Sequence, residues 1–283
     1  MEKTNFIVYN QQIISEQTPI ITANNRGFCY GDGFFETMKI INGKIILKEL
    51  HFERLFKSLD CLKFKQPKNF NAIFLEETIL NLATKNNHLK AARVRLNIFR
   101  DNGNLFQIKN EYPNYIIQTM PLDNTHQQFN KDGLRIDIFN DAKKNQDNFS
   151  SIKSNNYLPY VMAAFYIKEK KLDDVLLLNH QHHIVETSIA NIWIVSNGII
   201  LTPAISEGCI NGVMRKYLLN CLQQEGIPFK ETILTINDIQ SAQEIFLTNA
   251  IVGIKWIKQC GKNNYTTQLA SFLYNKFLQP LWQ

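Results

Sequence analysis

The 283-residue chain is poor in cysteine: there are five, an odd number, and none stands in a Cys-x-x-Cys or Cys/His ligand pattern. That excludes a zinc-ribbon type of site and a disulfide framework, and it fits reduced thiols in the cytoplasm. No metal is expected. Nowhere does an apolar run approach the ~20 residues that span a membrane, and the polar residues 1–5 do not open a signal peptide. A cytoplasmic location without a membrane partner is the expectation. A basic stripe is also missing. Lysine and arginine exceed the acids by only six charges, spread along the chain, so nucleic acid is not an expected partner. Repeats and low-complexity tracts are absent, and with 45% hydrophobic and 20% charged residues the composition is that of an ordinary globular protein.

Periodicity supplies the elements. Residues 5–9, 34–40 and 44–48 read as strands, the last two around Asn42-Gly43, a strong hairpin signal. Phe52, Leu55, Phe56, Leu59 and Leu62 form a helical stripe over 51–62, and 69–84 forms a second. Alternation returns at 91–99 and 112–119. Residues 24–33 read as a polar, glycine-rich turn. Further on, strands are expected at 134–139, 175–178, 184–186, 192–195, 199–201 and 245–248, with helices at 158–167, 213–225 and 268–278. Layer logic makes this an α+β chain with a small N-terminal domain over 1–120, a linker over 121–132, and a larger domain over 133–283.

Three places carry chemistry. Lys153 stands among small polar residues just before an apolar helix. A lone lysine is usually a solvated charge, but one on a cavity floor can offer the neutral amine that attacks a carbonyl. Glu186 ends a strand and precedes Ser188 and Asn191, whose side chains are suited to anchoring a turn. Gly212-Val213-Met214 opens a helix and offers backbone amides to an anion. A lysine, a carboxylate and a helix N-terminus are the handles pyridoxal 5'-phosphate needs: a covalent link, a partner for the ring nitrogen, and a phosphate site. Arg54, mid-stripe on the 51–62 helix, has a planar fork suited to phosphate.

These residues follow one another in a definite order. Arg26-Gly27, Tyr30-Gly31-Asp32-Gly33 and Phe35-Glu36-Thr37 come first, then Arg54, Lys153, Glu186 through Asn191, and Gly212 through Arg215. In this the chain resembles, over nearly its whole length, the class IV aminotransferases, the fold-type IV pyridoxal-phosphate enzymes. The stretch from Glu186 to Arg215 fits that family's signature, with Trp193 where phenylalanine or tyrosine is usual. The resemblance implies a two-domain, D-amino acid aminotransferase-like fold: a small N-terminal α/β domain and a larger mixed-β domain with flanking helices. It implies that Lys153 bonds to the cofactor and shuttles protons, Glu186 pairs with its ring nitrogen, and Arg54 with the amides of Val213 and Met214 binds its phosphate. Ser188 and Asn191 would support that cradle. With Ala250 where relatives often supply a hydroxyl, Thr248 or Asn249 would replace it, or the site would do without it. Homodimers with shared active sites, closed by a loop matching 100–109, are implied too.

Three activities occur in the family. The D-specific aminotransferases use a tyrosine where Phe35 stands, and an Arg-x-His that the stretch after Arg100 lacks. Branched-chain aminotransferases share counterparts of Tyr30, Arg95 and Tyr157 but usually read Phe-Glu-Gly-Ile-Arg at 35–39. 4-Amino-4-deoxychorismate lyase shares Gly31-Asp32-Gly33-Phe34-Phe35-Glu36-Thr37 and the pair Asn249-Ala250, although its frequent second loop arginine is missing. The expected activity is therefore the lyase, with Lys153 and Thr37 catalytic and Tyr30, Phe35, Arg95, Arg100, Tyr157 and Ala250 toward a small amino substrate. A branched-chain type of transaminase is the alternative. A binding protein that kept the fold and lost catalysis is remote, because Lys153, Glu186 and Arg54 are all present.

Overall fold

A computed structural model describes residues 5–108, 110–123 and 128–282. Contacts divide the chain into two compact units, Met1–His126 with Lys153–Asn156, and Gln127–Ile152 with Tyr157–Gln283.

In the first unit the described elements are β1 Phe6–Tyr9, β2 Gln12–Ser15, α1 Arg26–Tyr30, β3 Gly33–Ile41, β4 Lys44–Ile45, α2 Lys48–Cys61, α3 Ala72–Lys85, β5 Ala91–Phe99 and β6 Asn114–Pro121. The strands form one sheet in the order β2-β1-β6-β5-β3-β4, antiparallel at each pairing. Because strand side chains alternate, Phe34, Glu36, Met38 and Ile40 of β3 share one face, and Phe35, Thr37 and Lys39 the other. α2 packs on the first face with Phe52, Leu55 and Leu59 buried at helical spacing. Each such buried side chain contributes roughly 1.5–3 kcal/mol. Asn42 and Gly43 both take positive φ, 48° and 75°, as a tight hairpin turn requires. The strand after it is shorter than expected. The chain turns at Leu47, φ 54°, and α2 starts at Lys48, so only Lys44–Ile45 pairs with β3. Residues 24–33 also contain more than a turn. Asn25 caps the single-turn helix α1 by accepting from the Phe28 amide, and Gly31, φ 63°, ends it.

The second unit contains β7 Leu134–Lys144, α4 Leu158–Lys170, β8 Asp174–Asn179, β9 Ile184–Thr187, β10 Asn191–Ser196, β11 Ile199–Pro203, α5 Val213–Gln224, β12 Phe229–Thr232, α6 Ile236–Ser241, β13 Glu244–Asn249, β14 Gly253–Cys260, β15 Asn263–Asn264 and α7 Gln268–Leu273. Its described strands run β12-β11-β10-β13-β14-β7-β8-β9, with β15 on β14, mixing parallel and antiparallel pairs. Leu176, Ile192, Ile194, Ile245, Leu247 and Ile257 lie in one buried cluster of this unit. The fold is α+β.

Two boundaries need comment. Of the segment 121–132 expected as linker, Pro121 closes β6, residues 124–127 lie outside the described residues, and Asn130 exchanges hydrogen bonds with the Trp256 backbone at 2.9 and 3.0 Å. Lys153–Asn156 falls in sequence within the expected 133–283 domain, yet groups with the first unit. The cause is backbone pairing. Phe35 donates to the Lys153 carbonyl and Asn155 to that of Gly33, both at 3.0 Å, beside a bridge between Phe34 and Ser154. Among the described residues no helix is long and apolar enough to cross a membrane.

Candidate active site

Within the first unit, that backbone pairing holds the lysine on the edge of β3. Its side chain reaches the β3 face away from α2, where Lys153 Nζ lies 4.6 Å from the centre of the Phe35 ring. The Arg95 guanidinium lies 4.0 Å from the same ring. Arg95 stands opposite Thr37 in the β3–β5 ladder. Lys153, Phe35, Thr37 and Arg95 thus lie together in the first unit.

On the other face of β3, Glu36 is fully buried and receives Arg54 bidentately, Nε and Nη2 each at 2.6 Å. His51, three residues before Arg54 on α2, bonds the Glu36 Oε2 through Nδ1 at 2.8 Å. Burial pushes the Glu36 carboxyl up, but the Arg54 charge and the bonds from His51 and Arg54 outweigh it and bring it to about 2. His51 is held below its ordinary value, first by burial and also by Arg54, against the opposing pull of Glu36. It is therefore neutral at pH 7, with the Nδ1 proton donated to the carboxylate. Arg54 thus stands in a fixed orientation on a buried anion. The sequence reading missed this support, although a histidine and an arginine at i and i+3 on a helical stripe were its signal.

Arg100, expected toward the substrate, is held by groups of its own unit. It is buried, donates to Asp32 at 2.6 Å and to the Lys63 carbonyl at 3.0 Å, and stacks on Phe64 at 4.1 Å. Its role is to anchor the loop, because Asp32 also binds Arg26, which bonds the Asn104 carbonyl. Lys109, at the end of that expected loop, lies outside the described residues. Tyr30 is half-exposed beside Arg26.

Within the second unit, Glu186 is buried on β9. Its Oε1 accepts from the Tyr160 hydroxyl at 2.6 Å and pairs with Lys144 Nζ at 3.2 Å, and its Oε2 accepts the Ile210 amide at 2.9 Å. Lys144 also bonds Tyr160. Burial and the neighbouring Glu186 charge push the Tyr160 hydroxyl well up, so it remains a donor. A carboxylate has about four acceptor positions; three are filled here by described groups, leaving one for a ring N–H. Lys144 and Tyr160 were not anticipated, and their approach to Glu186 depends on tertiary placement. Tyr157 stacks on Tyr160 with ring centres 4.2 Å apart.

Ser188 serves the turn rather than presenting a free hydroxyl, donating to buried Asp174 at 2.6 Å. Asn191 donates to the Ile210 carbonyl at 2.8 Å, which ties Glu186's strand region to the approach to α5. Val213 and Met214 form the buried first turn of α5, and the N-cap Gly212 supplies no side chain to cap it. Such uncapped amides suit an anion. A Cβ built on Gly212 would stand 1.9 Å from Asn191 Oδ1, so this position needs glycine for space, its φ of −65° being ordinary. Gly212→Ala should therefore cost about 1–3 kcal/mol by forced displacement, read by thermal unfolding, and should weaken cofactor binding in a titration. The Thr248 hydroxyl accepts the Trp193 indole N–H at 2.9 Å. Asn249 Oδ1 accepts the amides of Ile251 and Val252, both at 2.9 Å, and shapes the turn carrying Ala250.

Comparison with known proteins resolves the family. The family model for amino-transferase class IV matches residues 33–260. The chain belongs to the class IV aminotransferases. An aminodeoxychorismate lyase of Vibrio harveyi is 26% identical over 238 residues, covering 83% of this chain and 85% of that protein. A Methanocaldococcus jannaschii protein assigned as a branched-chain-amino-acid aminotransferase is 27% identical over 260 residues, covering 88% and 85%. In fold, the chain matches the branched-chain aminotransferase of Thermoproteus uzoniensis with TM-score 0.87 at 19% identity, over 99% of this chain and 95% of that one. Class IV aminotransferases use pyridoxal 5'-phosphate, so this chain is a pyridoxal-phosphate-dependent enzyme of fold type IV. The Glu186 acceptor position and the uncapped start of α5 fit that cofactor.

Proposed function

We propose that the enzyme is a cytoplasmic 4-amino-4-deoxychorismate lyase, releasing 4-aminobenzoate and pyruvate. The observation that carries this is the Lys153–Phe35 cluster: a proton-transferring amine 4.6 Å from the Phe35 ring, with the Thr37 hydroxyl two residues along the same strand face. Phe35 cannot supply the hydroxyl that D-specific relatives use, while Phe35 and Thr37 together suit the lyase motif.

In this reading Lys153 holds the cofactor covalently, Glu186 keeps its ring nitrogen protonated, and Arg54 with the amides of Val213 and Met214 holds its phosphate. When bound, the cofactor acts as an electron sink that acidifies the substrate carbon bearing the amine. Freed from that link when the substrate's amine takes its place, Lys153 removes the proton from that carbon as general base. Thr37 hydrogen-bonds the leaving oxygen at the neighbouring carbon and helps its protonation as the C–O bond breaks. Glu36 and His51 position Arg54; Lys144 and Tyr160 position Glu186. The proposal includes a homodimer with shared active sites, which sedimentation equilibrium tests.

A branched-chain type of transaminase is supported by Arg95 and Tyr157 and by the relative assigned that activity. In that case Lys153 would hand the proton back instead of supporting elimination. The deciding measurement supplies aminodeoxychorismate and follows pyruvate, then supplies leucine or glutamate with a keto acid. Stoichiometric pyruvate and 4-aminobenzoate are expected. Amino transfer without pyruvate release would remove the lyase reading.

A further inference from the structure

The cluster around Phe35 continues along β5 to a residue with no assigned role. Arg93, Arg95 and Asn97 occupy alternate positions and share the face on which Arg95 meets Phe35. Arg93 and Arg95 are two residues apart, which separates their Cα atoms by ~7 Å. Opposite Arg93 in the ladder stands Lys39, whose side chain is completely buried. Like charges at opposed positions of a sheet repel. The alternate-position residues facing this way on β3, β5 and the adjacent part of β6 include no aspartate or glutamate. This is a concentration of positive charge on one sheet face, where nearby apolar surface strengthens its field.

The polar atoms give a second indication. Arg93 Nε and Asn97 Oδ1, on either side of Arg95, are buried and make no hydrogen bond within the described chain. Buried polar atoms normally have partners, and leaving one without costs about as much as a hydrogen bond contributes. One is a donor and the other an acceptor, so the pair suits a ligand that presents an anion with a neighbouring hydroxyl or amine.

We propose that Arg93 is a specificity-determining residue that receives the second carboxylate of a dicarboxylate amino substrate, while Arg95 receives the first. Two guanidiniums on one strand face match a substrate with two separated carboxylates, and each can hold a carboxylate bidentately. A monocarboxylate amino acid would leave Arg93 without a carboxylate and would bind less well. The inference deepens the reading of this face as the substrate site, and its test does not depend on which reaction follows.

The pyridoxal-phosphate-loaded protein is titrated with glutarate and chorismate, two dicarboxylates without an amine, and with pentanoate and benzoate as monocarboxylate counterparts. The wild type should bind at least one dicarboxylate more tightly than its counterpart. Arg93→Gln should lose roughly 10- to 100-fold for that dicarboxylate and change little for the monocarboxylate. Arg93→Lys, retaining the charge without the fork, should recover part of the loss. An unchanged dicarboxylate affinity in Arg93→Gln, equal losses for both ligand types, or no dicarboxylate preference in the wild type would each overturn the assignment. Pyruvate release is scored separately. Lyase turnover with no effect of Arg93→Gln removes this inference alone, whereas amino transfer with the predicted binding loss removes the lyase reading alone.

Discussion

Lys153→Ala should yield a folded protein that has lost at least ~10⁴ in turnover and the visible absorption of lysine-bound cofactor. Folding should survive because backbone bonds seat this segment: the Lys153 carbonyl accepts from Phe35, and the Asn155 amide donates to the Gly33 carbonyl. An alanine can make the same pairing. What disappears is the amine beside the Phe35 ring, proposed as both the covalent link and the group that moves the substrate proton. Borohydride should fix cofactor to the wild type and not to the variant, as mass spectrometry would read. Small amines added to the variant should restore a fraction of turnover, because they replace the missing base without its positioning. Substantial activity without added amine would take the lysine out of its role.

Glu36→Gln should be the most damaging change away from the lysine. It removes a buried charge on which Arg54 and His51 both converge and leaves the guanidinium facing a neutral amide. Breaking a buried pair in this way costs about 3–5 kcal/mol, to be measured by urea unfolding. Cofactor affinity should fall as well, since Arg54 loses the contact that orients it. The pH dependence gives a separate check. The folded carboxyl lies at about 2 against 4.5 for the free group, a depressed value. Its stabilisation is therefore complete above about 4.5 and lost as pH falls from there toward 2, amounting to about 3 kcal/mol. Wild type should lose this increment on acidification and Glu36→Gln should not. Parallel stability curves for the two proteins across pH 5 to 3 would exclude Glu36 as the titrating group.

Much of the site was legible because it depends on local pattern. The Asn42-Gly43 hairpin fixes which residues of β3 alternate, and so puts Phe35 and Thr37 on one face with Glu36 on the other. The α2 stripe announces the face that meets Glu36. The partners of these residues were less accessible. Arg100 is chemically able to bind a carboxylate, and only the fold reveals that Asp32, Lys63 and Phe64 hold it in the loop. Lys144 and Tyr160 reach Glu186 from separate elements, 42 and 26 positions earlier in the chain. α1 has five residues, too few for a helical stripe to emerge, and its caps identify it better than its periodicity does. Arg93 belongs to no motif in the sequence, and only the fold shows its Nε buried without a hydrogen bond.

The backbone pairing at Lys153 also bears on how the protein comes into being. Residues 33–35 and 153–155 are about 120 positions apart, so their ladder closes a long loop and belongs to the slow, non-local part of folding. During synthesis the first unit's sheet is complete except for this added segment, and the edge of β3 at Gly33–Phe35 is open until it arrives. An open strand edge is a template for pairing with another chain. A nascent or truncated N-terminal half should therefore be the aggregation-prone species. The event that covers this edge also brings Lys153, the proposed reactive amine, against β3.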